Sequence, residues 1–478
     1  MTLNTFRKEH SASRRLFSVS STVIPGIVVG LDSVAILLSG VLTYGYLMDT
    51  VGLDNVSYYA AAVAFVWLVA ITVLKFGGLY QLDAIIKPFS FIDKLFLAFA
   101  ITFLFLMAAA FSIKVSAEYS RVWTASFASS SCATAILLRI FISQVVGRLA
   151  DNRMLSRNVV LVGSGEQIKR LVEHLEISRP RFVSVLGVFS DDGNNVTGAH
   201  RFLGQTKTLA SFVRDNDVDD VIISFPWAED EKIAKLTNEV RELPVNIYLG
   251  ADLIGFRMPL RAPPDHFGEL PLVEVMGRPL AGWGVFQKAV LDYSLGILLT
   301  FAFLPMMALV ALVIRLESEG PALFRQERYG FANRRFHIYK FRTMFQTAVS
   351  NEITIQATRY DPRVTRIGGM LRRFSLDELP QLFNVLNGTM SLVGPRPHAV
   401  DHNEAYSQVI RGYFARHRVK PGLTGWAQVN GFRGETNTEQ MEARVKYDTY
   451  YVENWSLLFD LKILAMTGVV CLSGRNAY

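Results

Sequence analysis

Asp377 and Glu378 stand side by side in Arg372-Arg373-Phe374-Ser375-Leu376-Asp377-Glu378-Leu379-Pro380-Gln381, and Gly394-Pro395-Arg396-Pro397 follows closely. Adjacent carboxylates on a helical turn point in different directions, so one can attack an electrophile while the other holds a divalent metal. Pro380 bears on where that turn begins. With Ser375 as N-cap and Glu378 as its capping-box partner, Pro380 falls beyond the first turn, where its missing N–H costs a hydrogen bond. With Asp377 as the cap, Pro380 falls among positions whose N–H has no intrahelical partner. Asp377 is therefore the expected cap, kept ionised at a helix end that also attracts phosphate. The same residues also fit a plain cap and a first-turn acid with no chemistry.

The elements that must position this pair are partly membranous. Of 478 residues half are hydrophobic and only 19% are charged, too apolar for an ordinary soluble protein. The net charge of +7 favours an anionic partner, either lipid headgroups or a phosphorylated substrate. The sequence holds no basic run interleaved with aromatics, so no nucleic-acid partner is expected. Cys132 and Cys471 lie outside any metal-type spacing and are expected as free thiols without zinc.

A basic tail, residues 1–20 with Arg7, Lys8, Arg14 and Arg15, precedes apolar runs at 23–47, 58–74, 92–113 and 122–142. These predict a four-helix transmembrane bundle over 21–148. Lys75, Lys87, Lys94, Arg139 and Arg148 lie on the same side as the tail, whereas 48–57 has no Lys or Arg. The N-terminus and everything after Arg148 are then expected in the cytoplasm. Asp32, an acid within the first run, is a candidate for a functional or a helix-packing role.

Residues 149–250 read as a Rossmann-like α/β domain, with strands at 159–163, 182–189 and 218–225 and a helix at 167–177. Gly163-Ser164-Gly165 follows the first strand, but Ile168 stands where a third glycine would be. A structural or regulatory domain is expected rather than a working dinucleotide site. Residues 251–284, with Pro259, Pro263, Pro264 and Pro271, read as a linker. A fifth apolar run at 291–314 is flanked by Lys288 and Arg315 and contains Pro305. Basic flanks on both sides predict that both ends face the cytoplasm. The run is then a re-entrant hairpin over 288–315, broken at Pro305 with Leu304 outside the α region. A kinked fifth span is the alternative.

From Gly320 the chain is rich in Arg and aromatics between short stiff turns, which suits binding of phosphates by fixed donors. Its motifs run in order: S-L-D-E-L-P-Q-L-F-N-V-L, S-L-V-G-P-R-P, K-P-G-L-T-G-W-A-Q-V-N-G and Y-Y-V-E-N-W-S. Over about residues 286–478 they resemble the bacterial polyprenyl-phosphate hexose-1-phosphate transferases, the monotopic phosphoglycosyl transferases, in their long form. Within that family the chain is most similar to the undecaprenyl-phosphate glucose phosphotransferases that start exopolysaccharide repeat units.

The resemblance implies a catalytic domain over 285–478 at the cytoplasmic face of the bacterial inner membrane. There the sugar phosphate of a UDP-hexose, glucose ahead of galactose, passes to undecaprenyl phosphate and UMP is released. It implies Asp377 as nucleophile, through a covalent sugar-phosphoryl aspartate, and Glu378 with Asp377 as ligands of Mg2+. Lys340 and Arg372 would lie near the diphosphate, Arg396 by the phosphate or the uridine, and Gln428 and Arg433 on the nucleotide side, with Arg342 also among the substrate-binding residues. Lys288, Asp292 and Pro305 would belong to the hairpin. Ala289 departs from the family's Lys-Arg-x-x-Asp, which puts the hairpin's anchoring in doubt. A homodimer through the membrane or α/β region fits the long form. Two rivals are an NAD-dependent nucleotide-sugar epimerase or oxidoreductase built on the α/β domain, and a non-catalytic scaffold. The absence of a Tyr-x-x-x-Lys pair counts against the former.

Overall fold

The computed structural model describes residues 23–51, 55–151, 155–178, 182–193, 200–250, 272–345, 361–410, 412–432 and 437–473. The chain divides into two compact units, with the boundary between Ser156 and Arg157. The first unit holds α1 (Ile24–Val51), α2 (Val56–Phe76), α3 (Ile92–Ser112) and α4 (Arg121–Asp151). All four are long and apolar enough to cross a membrane, as hydropathy predicts. Trp123, Phe127 and Val66 are buried between them while Leu42, Leu104 and Phe111 face outward. Asp32 is a packing residue here: its carboxylate meets Arg139 at 2.8 Å, and Arg139 also donates to the Leu79 carbonyl at 2.5 Å. Removing either partner would strand a buried charge.

The second unit opens with β1 (Arg157–Gly163), α5 (Gly165–Ser178), β2 (Val183–Phe189), β3 (Phe202–Gly204), β4 (Asp220–Ser224), α6 (Asp230–Val240), β5 (Asn246–Gly250) and β6 (Leu272–Met276). The sheet order is β3-β2-β1-β4-β5-β6, with β1 to β5 parallel and β6 antiparallel to β5. β1 is a continuous apolar run because both of its faces are covered; Val159 and Leu161 pack with Ile168, Leu171 and Ile222. Gly163 is needed for contact rather than for a ligand, since a Cβ there would strike the Ser224 carbonyl. The expected linker is corrected in part. Residues 272–276 form an edge strand, Leu-Val-Glu-Val-Met, whose antiparallel pairing to its neighbour requires no crossover helix.

α7 (Trp283–Glu317) stays helical through Pro305, so the expected break, with Leu304 outside the α region, is not found. Proline removes one hydrogen bond from the ladder, and the intact turns on both sides carry the helix past it. Lys288, Asp292, Gly296, Thr300, Met307 and Ile314 are its buried residues, whereas the five consecutive residues 301–305 are all exposed. Leu295 and Leu299 pack into a core with Val385, Leu392 and Tyr451. Met307 and Ile314 pack into another with Phe341 and Leu371. Leu379, next to the carboxylate pair, touches both cores.

The rest of the unit includes the hairpin β7 (Leu323–Tyr329) and β8 (Arg335–Phe341), then α8 (Arg366–Arg373), a 3-10 turn Leu376–Gln381, α9 (Leu382–Leu386), β9 (Ser391–Val393), β10 (Gly422–Thr424), α10 (Thr438–Glu453) and α11 (Leu457–Ser473). β9 and β10 pair in parallel and bring S-L-V-G-P-R-P against K-P-G-L-T-G. Gly394 and Gly422 make the close approach: a Cβ on either would collide with backbone of the other's segment.

Candidate active site

The carboxylate turn is built differently from the expected helix start. Ser375 takes a left-handed conformation, φ 57°, two residues after the end of α8, and the chain re-enters as a 3-10 turn at Leu376. The Glu378 N–H donates to the Ser375 carbonyl at 3.3 Å, an i to i−3 bond. Asp377 therefore lies inside the first turn and is not its cap, because the left-handed Ser375 is the cap and starts the turn two positions earlier than Pro380 alone implies. At three residues per turn, neighbouring side chains still diverge.

That divergence separates the two acids chemically. Glu378 is buried and accepts from Lys340 Nζ at 2.9 Å, from Arg396 Nη2 at 2.6 Å and from Arg396 Nη1 at 3.2 Å. Lys340 comes from β8 and Arg396 from the loop after β9, so both sheets converge on one carboxylate. The Asp377 carboxylate takes part in no hydrogen bond or ion pair among the described residues. Burial, first, and the Glu378 charge, second, push its pKa up, opposed by Lys340, Arg396 and Arg372. Lys340 is pushed down by burial and supported by Glu378. Arg372 is fixed beside the turn by its Nε on Thr343 Oγ1 at 2.9 Å.

The other expected site residues separate by role. Arg342, expected among the substrate-binding residues, is engaged as an anchor within the protein. Its guanidinium donates to the Ser318 and Glu319 carbonyls at 2.7 and 2.6 Å and so fastens the end of α7. Gln428 is buried with an Oε1 that has no partner among the described residues. Arg433 lies outside the described residues. Lys288 bonds Asp460 at 2.7 Å and the Val393 carbonyl at 3.0 Å, while Asp292 accepts from Ser391 Oγ at 2.9 Å and the Leu392 N–H at 3.0 Å. The membrane helix is thus tied to β9 without help from residue 289.

Sequence reasoning missed a basic layer behind Arg396. Arg416 donates to the Arg396 carbonyl at 2.6 Å, pairs with Asp448 at 2.8 Å and contacts His398 Nδ1 at 2.8 Å. Burial, then Arg416, holds His398 well below the usual imidazole pKa, so it stays neutral and can accept. Arg328 donates to the Pro397 carbonyl at 3.1 Å and feels both Arg396 and Glu378. Arg328 and Arg416 are basic residues in Arg-rich stretches; nothing local in the sequence pairs them with Pro397 or Asp448.

Among the described residues no group of three or more His, Cys, Asp or Glu could enclose a metal. Magnesium is commonly held by one or two carboxylates with substrate phosphates supplying further oxygens. Hard oxygen donors on adjacent residues, one of them without a partner among the described residues, fit that mode.

Known families agree with this arrangement. The profile described as "Bacterial sugar transferase" matches residues 283–474, and one described as a CoA-binding domain matches 75–251. The chain is 32% identical to a UDP-glucose:undecaprenyl-phosphate glucose-1-phosphate transferase of Xanthomonas campestris pv. campestris, covering 98% of both chains. It is 51% identical to a protein of the same description from Caulobacter vibrioides, over 42% of this chain and 76% of that one. It is 38% identical to a UDP-N-acetylgalactosamine-undecaprenyl-phosphate N-acetylgalactosaminephosphotransferase of Aeromonas hydrophila, over 45% of this chain and 49% of that one. With a full-length relative at this identity and motifs that converge on one carboxylate pair, the chain belongs to the bacterial sugar transferases, the polyprenyl-phosphate hexose-1-phosphate transferase family.

Proposed function

We propose that this enzyme transfers hexose-1-phosphate, glucose-1-phosphate in the first instance, from UDP-hexose to undecaprenyl phosphate, with release of UMP, as the first step of exopolysaccharide repeat-unit assembly. One observation carries the mechanism: Lys340 and Arg396 hold Glu378, whereas Asp377 has no partner among the described residues. An Asp377 oxygen attacks the phosphorus next to the sugar, and the bond from that phosphorus to the UMP oxygen breaks. A phosphate oxygen of the lipid acceptor then attacks the same phosphorus and the bond to Asp377 breaks, which restores the carboxylate. Lys340, Arg372 and Arg396 offset charge on the transferring group. Asp377 and Glu378 would hold Mg2+, which when bound supplies further neutralisation of phosphate charge. Gln428 offers a buried acceptor on the nucleotide side.

The enzyme acts at the cytoplasmic face of the inner membrane, with α7 entering and leaving the same leaflet. Its two ends are held in one compact unit, at Asp460 and Val393 near the start and by Arg342 near the end. Residues 301–305 are the longest run between them with every side chain exposed. With no break at Pro305, this course requires the helix to bend there rather than to end; a crossing helix would instead put a hydrocarbon layer of about 30 Å between the two anchors. A homodimer is part of this reading on the strength of the long-form resemblance.

The oxidoreductase reading gains nothing from the α/β domain. The Gly165 N–H at the start of α5 already donates to Asp192 at 2.8 Å, so the protein's own acid sits where a dinucleotide phosphate would. The test is UMP release from a panel of UDP-sugars by membranes supplied with undecaprenyl phosphate. UDP-glucose turnover that Asp377→Asn abolishes supports the proposal; turnover by that variant at the normal rate removes Asp377 as nucleophile.

A further inference from the structure

A cleft of about 570 Å³ lies where the α/β sheet meets the catalytic half of the second unit. Its walls come from Asn238 and Arg241 at the end of α6, from Gly277 and Arg278 after β6, and from Arg418 and Glu453 of the catalytic half. Met276 pairs with Ile247 at the start of β5, which places the cleft by the N-terminal ends of the parallel strands. Doubly wound folds hold their ligands at the opposite, carboxyl ends. This is therefore neither the fold's usual crevice nor the carboxylate pair.

The charge in the cleft is only partly matched. Arg278 pairs with Asp219 at 2.9 Å. Arg418 is 8% exposed and donates to the Gly277 carbonyl at 2.9 Å, yet its buried Nε has no partner among the described residues. Arg241 is exposed at the rim and forms no ion pair among the described residues. Burial, with Arg241 adding to it, pushes the Arg418 pKa down, and Glu453 offsets part of this. An enclosed guanidinium whose Nε has no partner among the described residues and a second at the rim match the oxygens of a phosphate, with the Asn238 amide in the same lining. The volume suits a small molecule rather than a polymer.

We propose that this cleft binds a phosphate-bearing small molecule and that its occupancy acts on the catalytic pair. Arg418 closes the 3-10 turn Tyr413–Arg418. Two residues earlier in that turn, Arg416 donates to the Arg396 carbonyl at 2.6 Å, and Arg396 holds Glu378. An anion that draws on Arg418 thus acts on the segment that sets Arg396.

The test is hydrogen–deuterium exchange on the full-length protein in nanodiscs, without divalent metal, with inorganic pyrophosphate against sodium chloride of equal ionic strength. Slower exchange is expected in peptides spanning 234–241, 275–280 and 413–418. Arg241→Ala, at an exposed side chain outside the catalytic machinery, should weaken that protection about tenfold in pyrophosphate concentration, the effect of one charge-assisted hydrogen bond. The change in exchange around Lys340 and Asp377 that cleft occupancy transmits should shift to higher pyrophosphate concentration by the same factor in Arg241→Ala, whereas direct binding at the carboxylate pair should not shift. Response confined to the active-site peptides, or cleft protection that Arg241→Ala leaves intact, overturns the proposal.

Discussion

Arg396 grips both oxygens of Glu378, at 2.6 and 3.2 Å, whereas Asp377, one residue earlier on the same turn, has no partner among the described residues. The fork fixes one acid and leaves its neighbour under a raised pKa. A carboxylate that is both poorly solvated and uncommitted is a better nucleophile than one held by two cations.

Activity should follow the ionisation of Asp377. Because burial and Glu378 raise its pKa, kcat should climb with pH through a value above the ordinary aspartate pKa of about 4. Glu378→Gln removes the like charge and frees Lys340 and Arg396 to act on Asp377. In that variant's residual activity the acid limb should move to lower pH. A pH profile whose limb stays in place or moves upward contradicts the assignment.

Asp377 should also cost stability. Its folded-state pKa lies above the unfolded one, so the folded protein is relatively destabilised once the group ionises, and that loss disappears as pH falls through the folded value. Asp377→Asn should raise the Tm at pH 7, with the gain shrinking in acid. Thermal unfolding of the purified protein at several pH values checks this, and a lower Tm at pH 7 speaks against it.

Arg416 and Asp448 are 1% and 2% exposed. Arg416→Met alone should destabilise the second unit by about 3–5 kcal/mol, since it strands a buried carboxylate. Arg416→Met with Asp448→Met should recover part of that loss, because the buried Arg444, which Asp448 also offsets, is left behind. Denaturant unfolding of both variants measures it; equal losses in the two would show that the pair is not the source.

Much of this was legible in the sequence. Hydropathy located α1 to α4, and the apolar run at Val159–Val162 located the central strand, because both signals depend only on what surrounds a segment. β6 was hidden because its five residues follow a proline-rich stretch and their strand character depends on pairing with β5. Ser375 turned left-handed without a glycine to announce it. The Arg416–Asp448 pair joins elements 32 positions apart, and Arg342 looked like a substrate-binding residue because nothing local showed the Ser318 and Glu319 carbonyls waiting for it.

The course of α7 has its own check. Glu319→Cys, at an exposed position just past the helix, in a background with Cys132→Ser and Cys471→Ser, should resist an impermeant thiol reagent in intact cells and react after lysis. Labelling of intact cells would mean that the helix crosses.

The central claim is a phosphorus–oxygen bond to one side chain. Incubate the purified enzyme with UDP-glucose labelled in the sugar and in the absence of undecaprenyl phosphate, quench in acid, and map the label by peptide mass spectrometry. The expected product is a hexose-phosphate adduct on Asp377 that is lost when acceptor is added. Label that never attaches to the peptide carrying Asp377, in enzyme that turns over normally with acceptor, would contradict it.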